Sequence, residues 1–102
     1  MIADADMNVW LETLSASQPS VIVPYVQSTA DRNVDFRVKM VKEGRGGRSE
    51  VSQGGTLFVP AAKAVALGRM SVSVGAQDNC HIEVTFTEAG KPAGEYRFDC
   101  PR

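Results

Sequence analysis

The chain has 102 residues, of which 43% are hydrophobic, and its formal net charge at pH 7 is −1. This length and composition predict a single domain over residues 1–102 with an ordinary hydrophobic core, and not a disordered chain. No apolar run approaches the ~20 residues of a membrane span, and the small negative charge argues against general nucleic-acid binding.

The first part of the chain alternates apolar and polar residues with a period of two, which is typical of half-buried strands. We predict a first strand near residues 7–14 and a second near residues 20–28. Pro24 removes one donor from the second strand's hydrogen-bond ladder, so it marks a sheet edge or a bulge there. In a third strand one face carries Val34, Phe36, Val38 and Met40, and the other carries Asp35, Arg37 and Lys39.

Glycines divide the middle of the chain. We interpret residues 43–47 as a loop, residues 48–53 as a short polar strand, and Gly54-Gly55 as the point where that strand breaks. Residues 56–60 are a strand fragment or its connection. The β-branched residues and Gly68 favour a further strand, rather than a helix, within residues 64–74.

Cys80 and Cys100 are the only cysteines, and they lie symmetrically about Gly90. A hairpin centred on Gly90 pairs Cys80 with Cys100 and points both side chains to one face. Directly opposed Cβ atoms lie about 4.5–5.5 Å apart, within reach of a disulfide after a small adjustment. We therefore predict a Cys80–Cys100 disulfide, which places the protein outside the reducing cytosol. Two buried free thiols and a redox-active pair are the alternatives.

The strands together predict an all-β fold, an immunoglobulin-like antiparallel sandwich of about seven strands. The cysteines lie on adjacent strands, so their disulfide differs from the inter-sheet disulfide of antibody domains. The residues predicted to be buried at the centre of the facing sheets are Phe36, Val38, Ile82, Val84 and Phe98.

No motif in the sequence supports catalysis, and we expect a protein that is not an enzyme and that takes no cofactor or metal. His81 is the only histidine, which excludes a histidine-based triad or a site with two histidine ligands within one chain. It alternates outward from the core face, so we expect an ordinary surface residue. The carboxylates are scattered singly, and the glycines of residues 44–47 do not precede a helix in a phosphate-binding pattern.

Charge is unevenly distributed along the chain. Residues 32–69 hold eight basic and three acidic residues, a net charge of +5, whereas the remainder carries −6. This basic centre is either a solvated strand face or a docking surface for an acidic partner. Basic residues on exposed strands also deter edge-to-edge aggregation of the protein itself.

The segment Gly44–Gly55 contains Gly46-Gly47-Arg48-Ser49 and Gln53-Gly54-Gly55. It resembles the Gly-Gly-x-Ser and Gln-Gly-Gly signature of CsgH, the alphaproteobacterial branch of the CsgC-like curli chaperones. The resemblance extends in outline over the chain and is strongest over residues 34–59. It implies a small periplasmic β-sandwich that acts without ATP and keeps the amyloidogenic major curli subunit from forming fibres before export. The Cys-x-Cys pair of enterobacterial CsgC is absent here, so a redox role tied to that pair does not transfer.

With this resemblance, the basic centre becomes a candidate surface for weak, electrostatically guided contacts with an unfolded client or an early nucleus. The predicted client-binding residues are Arg37, Lys39, Lys42, Arg45 and Arg48. We expect a periplasmic monomer that does not insert into the membrane. The acidic start Met1–Asp6 lacks the pattern of a signal peptide, so we expect that the export signal has been removed.

Two other classes of protein remain open at this point. One is an extracytoplasmic immunoglobulin-like adhesion or assembly module that binds a folded partner stably through a sizeable exposed apolar patch. The other is a carbohydrate-binding sandwich, which needs aromatic rings aligned on one face. Its candidate residues are Trp10, Tyr25 and Tyr96.

Overall fold

The computed structural model describes residues 7–15 and 20–101, with Ser15 described by its backbone alone; Met1–Asp6, on which the signal-peptide prediction rests, lies outside them. The described residues form eight strands and no helix, and hence none that could cross a membrane. The strands are β1 (Met7–Ser15), β2 (Ser20–Ser28), β3 (Arg32–Gly44), β4 (Gly47–Val59), β5 (Val65–Ala66), β6 (Met70–Val72), β7 (Asn79–Glu88) and β8 (Lys91–Asp99).

Two antiparallel sheets enclose one hydrophobic core. In the first sheet β2 pairs with β1 on one side and with the short β5 and β6 on the other; in the second sheet the order is β4-β3-β7-β8. The predicted all-β antiparallel sandwich is confirmed. It has eight strands rather than seven, because residues 64–74 form two short strands instead of one.

Pro24 lies in the central strand β2, and not at an edge or a bulge as predicted. Its carbonyl oxygen accepts a hydrogen bond from the backbone N–H of Leu67, with an N···O distance of 2.8 Å. In an antiparallel pair the N–H and C=O of one residue point to the same neighbour, so the missing donor of Pro24 also faces residues 67–69. These residues separate β5 from β6, and the proline is tolerated because the ladder is interrupted at that point.

Strand β4 does not end at Gly54-Gly55, as the sequence predicted, but continues to Val59. It pairs with β3 without a register shift, and the predicted loop at residues 43–47 is a two-residue turn, Arg45-Gly46, between the paired Gly44 and Gly47. A Cβ atom at Gly54 would lie 2.8 Å from the carbonyl oxygen of Phe36. The glycine therefore lets the two backbones approach closely within the sheet, and does not break the strand.

The β7–β8 hairpin has the predicted register. Ile82 faces Phe98 and Val84 faces Tyr96. The register shifts by one residue beyond Phe86, close to the turn. The predicted disulfide is confirmed: Cys80 and Cys100 are bonded, with their Cα atoms 5.4 Å apart.

The core prediction is confirmed in part. Val38, Ile82 and Val84 are fully buried, whereas Phe36 and Phe98 are only partly buried and pack at the border of the core. Phe98 is less buried because β8 is an edge strand of its sheet. The fully buried aromatic residue is Phe86, whose ring meets that of Tyr96 edge to face.

Candidate functional site

The second sheet turns one face towards the core and the other, which we call the outer face, towards solvent. Period-two alternation along β3 puts Arg37 and Lys39 on the outer face, opposite in direction to the buried Val38. Arg48 of β4 joins them there, because it pairs directly with Glu43, which lies on the same face of β3. The structure thus brings three of the five predicted client-binding residues onto one surface.

The other two predicted residues lie apart from this surface. Lys42 points to the opposite side of β3, and its Nζ donates a hydrogen bond to the backbone oxygen of Ser73, 2.8 Å away. Arg45 is exposed in the turn at the tip of the β3–β4 hairpin. Lys42 thus links the second sheet to the chain just after β6.

The outer face is less basic than the net charge of residues 32–69 suggests. Glu83 Oε1 of β7 lies 3.8 Å from Lys39 Nζ, and Glu50 Oε1 lies 3.7 Å from a guanidinium nitrogen of Arg48. Partly exposed pairs of this kind contribute about 0–1 kcal/mol. Among the charged residues on this face, the cations are Arg37, Lys39, Arg48 and Arg97, and the acids are Asp35, Glu43, Glu50, Glu83, Glu95 and Asp99. Six acids therefore outnumber four cations on this face, and a count along the sequence cannot show this.

Two of the four cations, Arg37 and Lys39, lie beside an uncharged part of β4. Lys39 pairs with Ser52, and Arg37 pairs with Gly54. Arg37 is exposed and forms no ion pair within the described part of the chain. We call Arg37 and Lys39 the cationic spot. Arg37 lines an open surface depression of ≈ 450 Å³ together with Asp35 and the β4 residues Ser52–Thr56.

His81 lies on the outer face, as predicted, but it is half-buried and has a partner. Its Nε2 lies 3.0 Å from Glu83 Oε2, so Glu83 lies between His81 and Lys39. Within the described residues, no group of three or more His, Cys, Asp and Glu side chains is arranged to hold a metal ion.

The aromatic residues do not form a platform for a sugar ring. Trp10 and Tyr25 stack on each other, with ring centroids 5.6 Å apart and an interplanar angle of 12°, so each covers one face of the other. Tyr96 packs against the core.

Three large hydrophobic residues are exposed among those described, Leu14, Val51 and Phe58. Leu14 is on β1, while Val51 and Phe58 lie on opposite faces of β4, so the three form no single patch.

These features define a class of protein: a small antiparallel β-sandwich, closed by one disulfide between adjacent strands, with an open and mixed-charge outer sheet face. The chain matches the family model described as thin aggregative fimbriae synthesis protein, Tafi-CsgC, over residues 1–92, and it belongs to that family. It is 25% identical over 88 residues to the curli assembly protein CsgC of Salmonella typhimurium, an alignment that covers 86% of this chain and 82% of that protein. The identity to CsgC of Escherichia coli K12 is also 25%, with 86% of this chain and 80% of that protein covered.

Two solved structures share the fold. The structure of E. coli curli protein CsgC superposes with a TM-score of 0.78 at 23% identity, and covers 90% of this chain and 97% of its own. The solution structure of R. palustris CsgH gives a TM-score of 0.68 at 14% identity, with 91% of each chain covered. The resemblance to the CsgC-like proteins is therefore confirmed at the level of the family. The narrower assignment to the CsgH branch is not, since the sequence relatives named above are CsgC proteins.

Proposed function

We propose that this protein delays the premature assembly of a secreted curli-type fibre subunit, as an extracytoplasmic chaperone that makes weak contacts through the outer face of its second sheet. The observation that carries the proposal is the cationic spot, in which the exposed Arg37 and the half-buried Lys39 lie beside an uncharged stretch of β4, in a member of the Tafi-CsgC family. Its relatives in that family are named curli assembly proteins.

An extracytoplasmic, periplasmic site of action is supported by the disulfide. Cys80 and Cys100 are bonded across two adjacent strands of the second sheet. Disulfides of this structural kind persist in oxidising compartments and are rare in the cytosol. The partner we propose for this compartment is the amyloidogenic major curli subunit, met as an unfolded chain or an early nucleus.

Weak electrostatic guidance suits such a partner. Exposed cations raise the rate at which an acidic chain encounters the surface, without requiring a tight complex. Amyloid grows when identical segments stack in register through their backbones. A protein that repeatedly occupies such segments lengthens the time before the first stack forms.

The alternative of a module that binds a folded partner stably receives less support. A stable interface of standard size needs a well-packed apolar centre. The exposed hydrophobic residues of the described chain point in different directions, and no contiguous patch links Leu14 to Phe58.

The proposal is tested by following fibre formation of a purified curli major subunit with thioflavin T. We expect a longer lag phase when this protein is present at a small fraction of the subunit concentration. The control is an unrelated disulfide-bonded β-sandwich of similar size and net charge. A lag phase equal to that of the control would show that the protein is not an inhibitor of fibre nucleation.

A further inference from the structure

The second sheet has two edge strands, β4 and β8, and the two edges differ in how they are protected. Natural edge strands avoid unwanted pairing through charged residues, prolines and bulges. Strand β8 has Pro92 and a register shift near its start and carries Glu95, Arg97 and Asp99 along its length. Strand β4 has no charged residue and no proline from Val51 to Val59.

The register shows which backbone groups each edge exposes. The two-residue turn makes Gly44 and Gly47 a hydrogen-bonded pair, and antiparallel pairs then alternate between hydrogen-bonded and non-hydrogen-bonded. The residues of β4 that direct their N–H and C=O away from β3 are therefore Arg48, Glu50, Ser52, Gly54, Thr56 and Phe58. The same alternation, carried through β3 and β7, makes Cys80 and Cys100 a hydrogen-bonded pair. This agrees with the bond that Cys100 N donates to Cys80 O at 3.2 Å.

On β8 the outward-directed residues are Glu95, Arg97 and Asp99, since they form the non-hydrogen-bonded pairs with β7. All three are charged, and these charges disfavour the pairing of another strand with β8. On β4 the outward-directed residues from Ser52 to Phe58 are uncharged, and Ser52, Gly54, Thr56 and Phe58 are all exposed. This part of β4, residues 52–58, is therefore an unprotected edge that can pair with another strand.

We propose that Ser52–Phe58 of β4 binds an extended segment of the partner by β-sheet addition, and that the segment places a carboxylate or side-chain amide opposite Gly54, where it reaches Arg37. The inference rests on the proposed function and specifies how the fibre subunit is held. Backbone pairing supplies the affinity in such complexes, and the side chains that face the sheet supply the selectivity.

The surroundings of Gly54 favour a partner with a long polar side chain at this position. Gly54 has no side chain, and it lies between the open edge and its pairing partner Arg37 on β3. Adjacent strands lie about 4.8 Å apart, so a residue opposite Gly54 lies about 10 Å from the Arg37 backbone, a gap that two extended side chains can span. The depression of ≈ 450 Å³ lined by Arg37, Gly54 and Asp35 leaves room for them, and the Asp35 carboxylate accepts a hydrogen bond from Thr56 Oγ1 at 2.8 Å.

The test uses a proline that blocks the edge without breaking the sheet. Ser52→Pro removes an N–H that points away from β3, so no bond of the β3–β4 ladder is lost, and proline is tolerated on edge strands in this orientation. The matched control is Glu95→Pro, which makes the same change at an outward-directed position of the other edge strand. Circular dichroism and thermal unfolding establish that both variants are folded.

The first measurement is direct binding of a synthetic peptide of Ser, Gly, Asn and Gln with one central Glu, about ten residues long, the length of a strand. With the wild-type protein we expect the amides of Gly54, Thr56 and Phe58 to exchange more slowly with solvent when the peptide is added. In Ser52→Pro we expect peptide affinity to fall about tenfold, and in Glu95→Pro to stay unchanged. In Arg37→Gln we expect the Glu peptide to lose more affinity than its Gln analogue, because only the carboxylate loses an ionic partner.

The second measurement is the lag phase of the curli major subunit, and it separates the inference from the proposed function. If the wild-type protein does not lengthen the lag phase, the proposed function is wrong whatever the peptide shows. If the wild type lengthens it and Ser52→Pro does so equally, with no change in amide exchange on peptide addition, the β4 edge is not the binding site. A concentration-dependent dimer in the absence of peptide, lost in Ser52→Pro, would assign the edge to a second copy of this chain and overturn the proposal.

Discussion

Gly54 of β4 lies close against the backbone of β3. An added Cβ atom would stand 2.8 Å from the carbonyl oxygen of Phe36, closer than carbon and oxygen atoms approach, and the obstacle is backbone rather than a flexible side chain. We predict that Gly54→Ala destabilises the protein by about 1–3 kcal/mol, the usual cost of forcing extra volume into a packed region. Chemical unfolding in urea measures this difference.

Gly46 is the matched control for this prediction. It lies in the turn of the β3–β4 hairpin, and a Cβ atom there would have no neighbour within 4 Å. Gly46→Ala should therefore change the free energy of unfolding by no more than about 0.5 kcal/mol. Equal stability of the two variants would mean that β3 and β4 are not held in the described register at Gly54.

At the scale of elements, the β7–β8 hairpin was predictable from sequence and β4 was not. The hairpin's register follows from two cysteines and an apolar alternation arranged about one glycine, and all of this information lies within about twenty residues. In β4 the Gly54-Gly55 pair predicts an interruption from local propensity, whereas pairing with β3 along all thirteen residues of β4 overrides it. Propensity in a strand depends on cross-strand neighbours, and a local pattern does not contain them.

In the candidate site, too, the local sequence pattern predicted only part of the arrangement. Alternation along β3 correctly put Arg37 and Lys39 together, since they lie two residues apart on one strand. It could not show that Lys42 points to the other side and contacts Ser73, or that Glu83 approaches Lys39 from β7. The sequence alone also could not show the unprotected edge at residues 52–58 of β4, because the direction of each backbone N–H depends on the register of the hairpin.

The β7–β8 hairpin carries a prediction of its own. Removing the disulfide with Cys80→Ser and Cys100→Ser together should lower the free energy of unfolding by about 3 kcal/mol, since the bond spans a sequence separation of 20 and restricts the unfolded chain. The double variant should still fold, because Ile82, Val84 and the rest of the core are unchanged.

Urea unfolding measures the loss, and reduction of the wild-type protein should reproduce it. Mass spectrometry after alkylation provides the independent check of the bond itself. Two thiols that react freely in the unfolded but unreduced protein would contradict the pairing of Cys80 with Cys100.

At the scale of the whole molecule, the positions of the charged residues matter more than the net charge. The chain carries −1 overall, and acids outnumber cations on the outer face, yet Arg37 and Lys39 lie beside a part of the β4 edge that lacks charge. An acidic segment that pairs with β4 at Gly54 is attracted by Arg37, against the repulsion of Asp35, which lines the same depression. Attraction of this kind acts over the Debye length, about 10 Å at 0.1 M salt and about 3 Å at 1 M, so the effect on fibre nucleation should weaken as salt rises.

The most direct test of the account compares two variants that each lose three positive charges. One carries Arg37→Gln, Lys39→Gln and Arg48→Gln, and the other carries Lys63→Gln, Arg69→Gln and Lys91→Gln, all three exposed and none of them on β3 or β4 or among the outer-face charges. Glutamine is chosen because a carboxylate at position 39 or 48 would face Glu83 or Glu50.

The measurement is the thioflavin T lag phase of the curli major subunit at low salt, with each folded variant at the same small fraction of the subunit concentration. The account predicts that the first variant loses most of the wild-type delay and that the second retains it. If both variants delay nucleation as strongly as the wild-type protein does, Arg37, Lys39 and Arg48 form an ordinary solvated face and the contact with the subunit lies elsewhere.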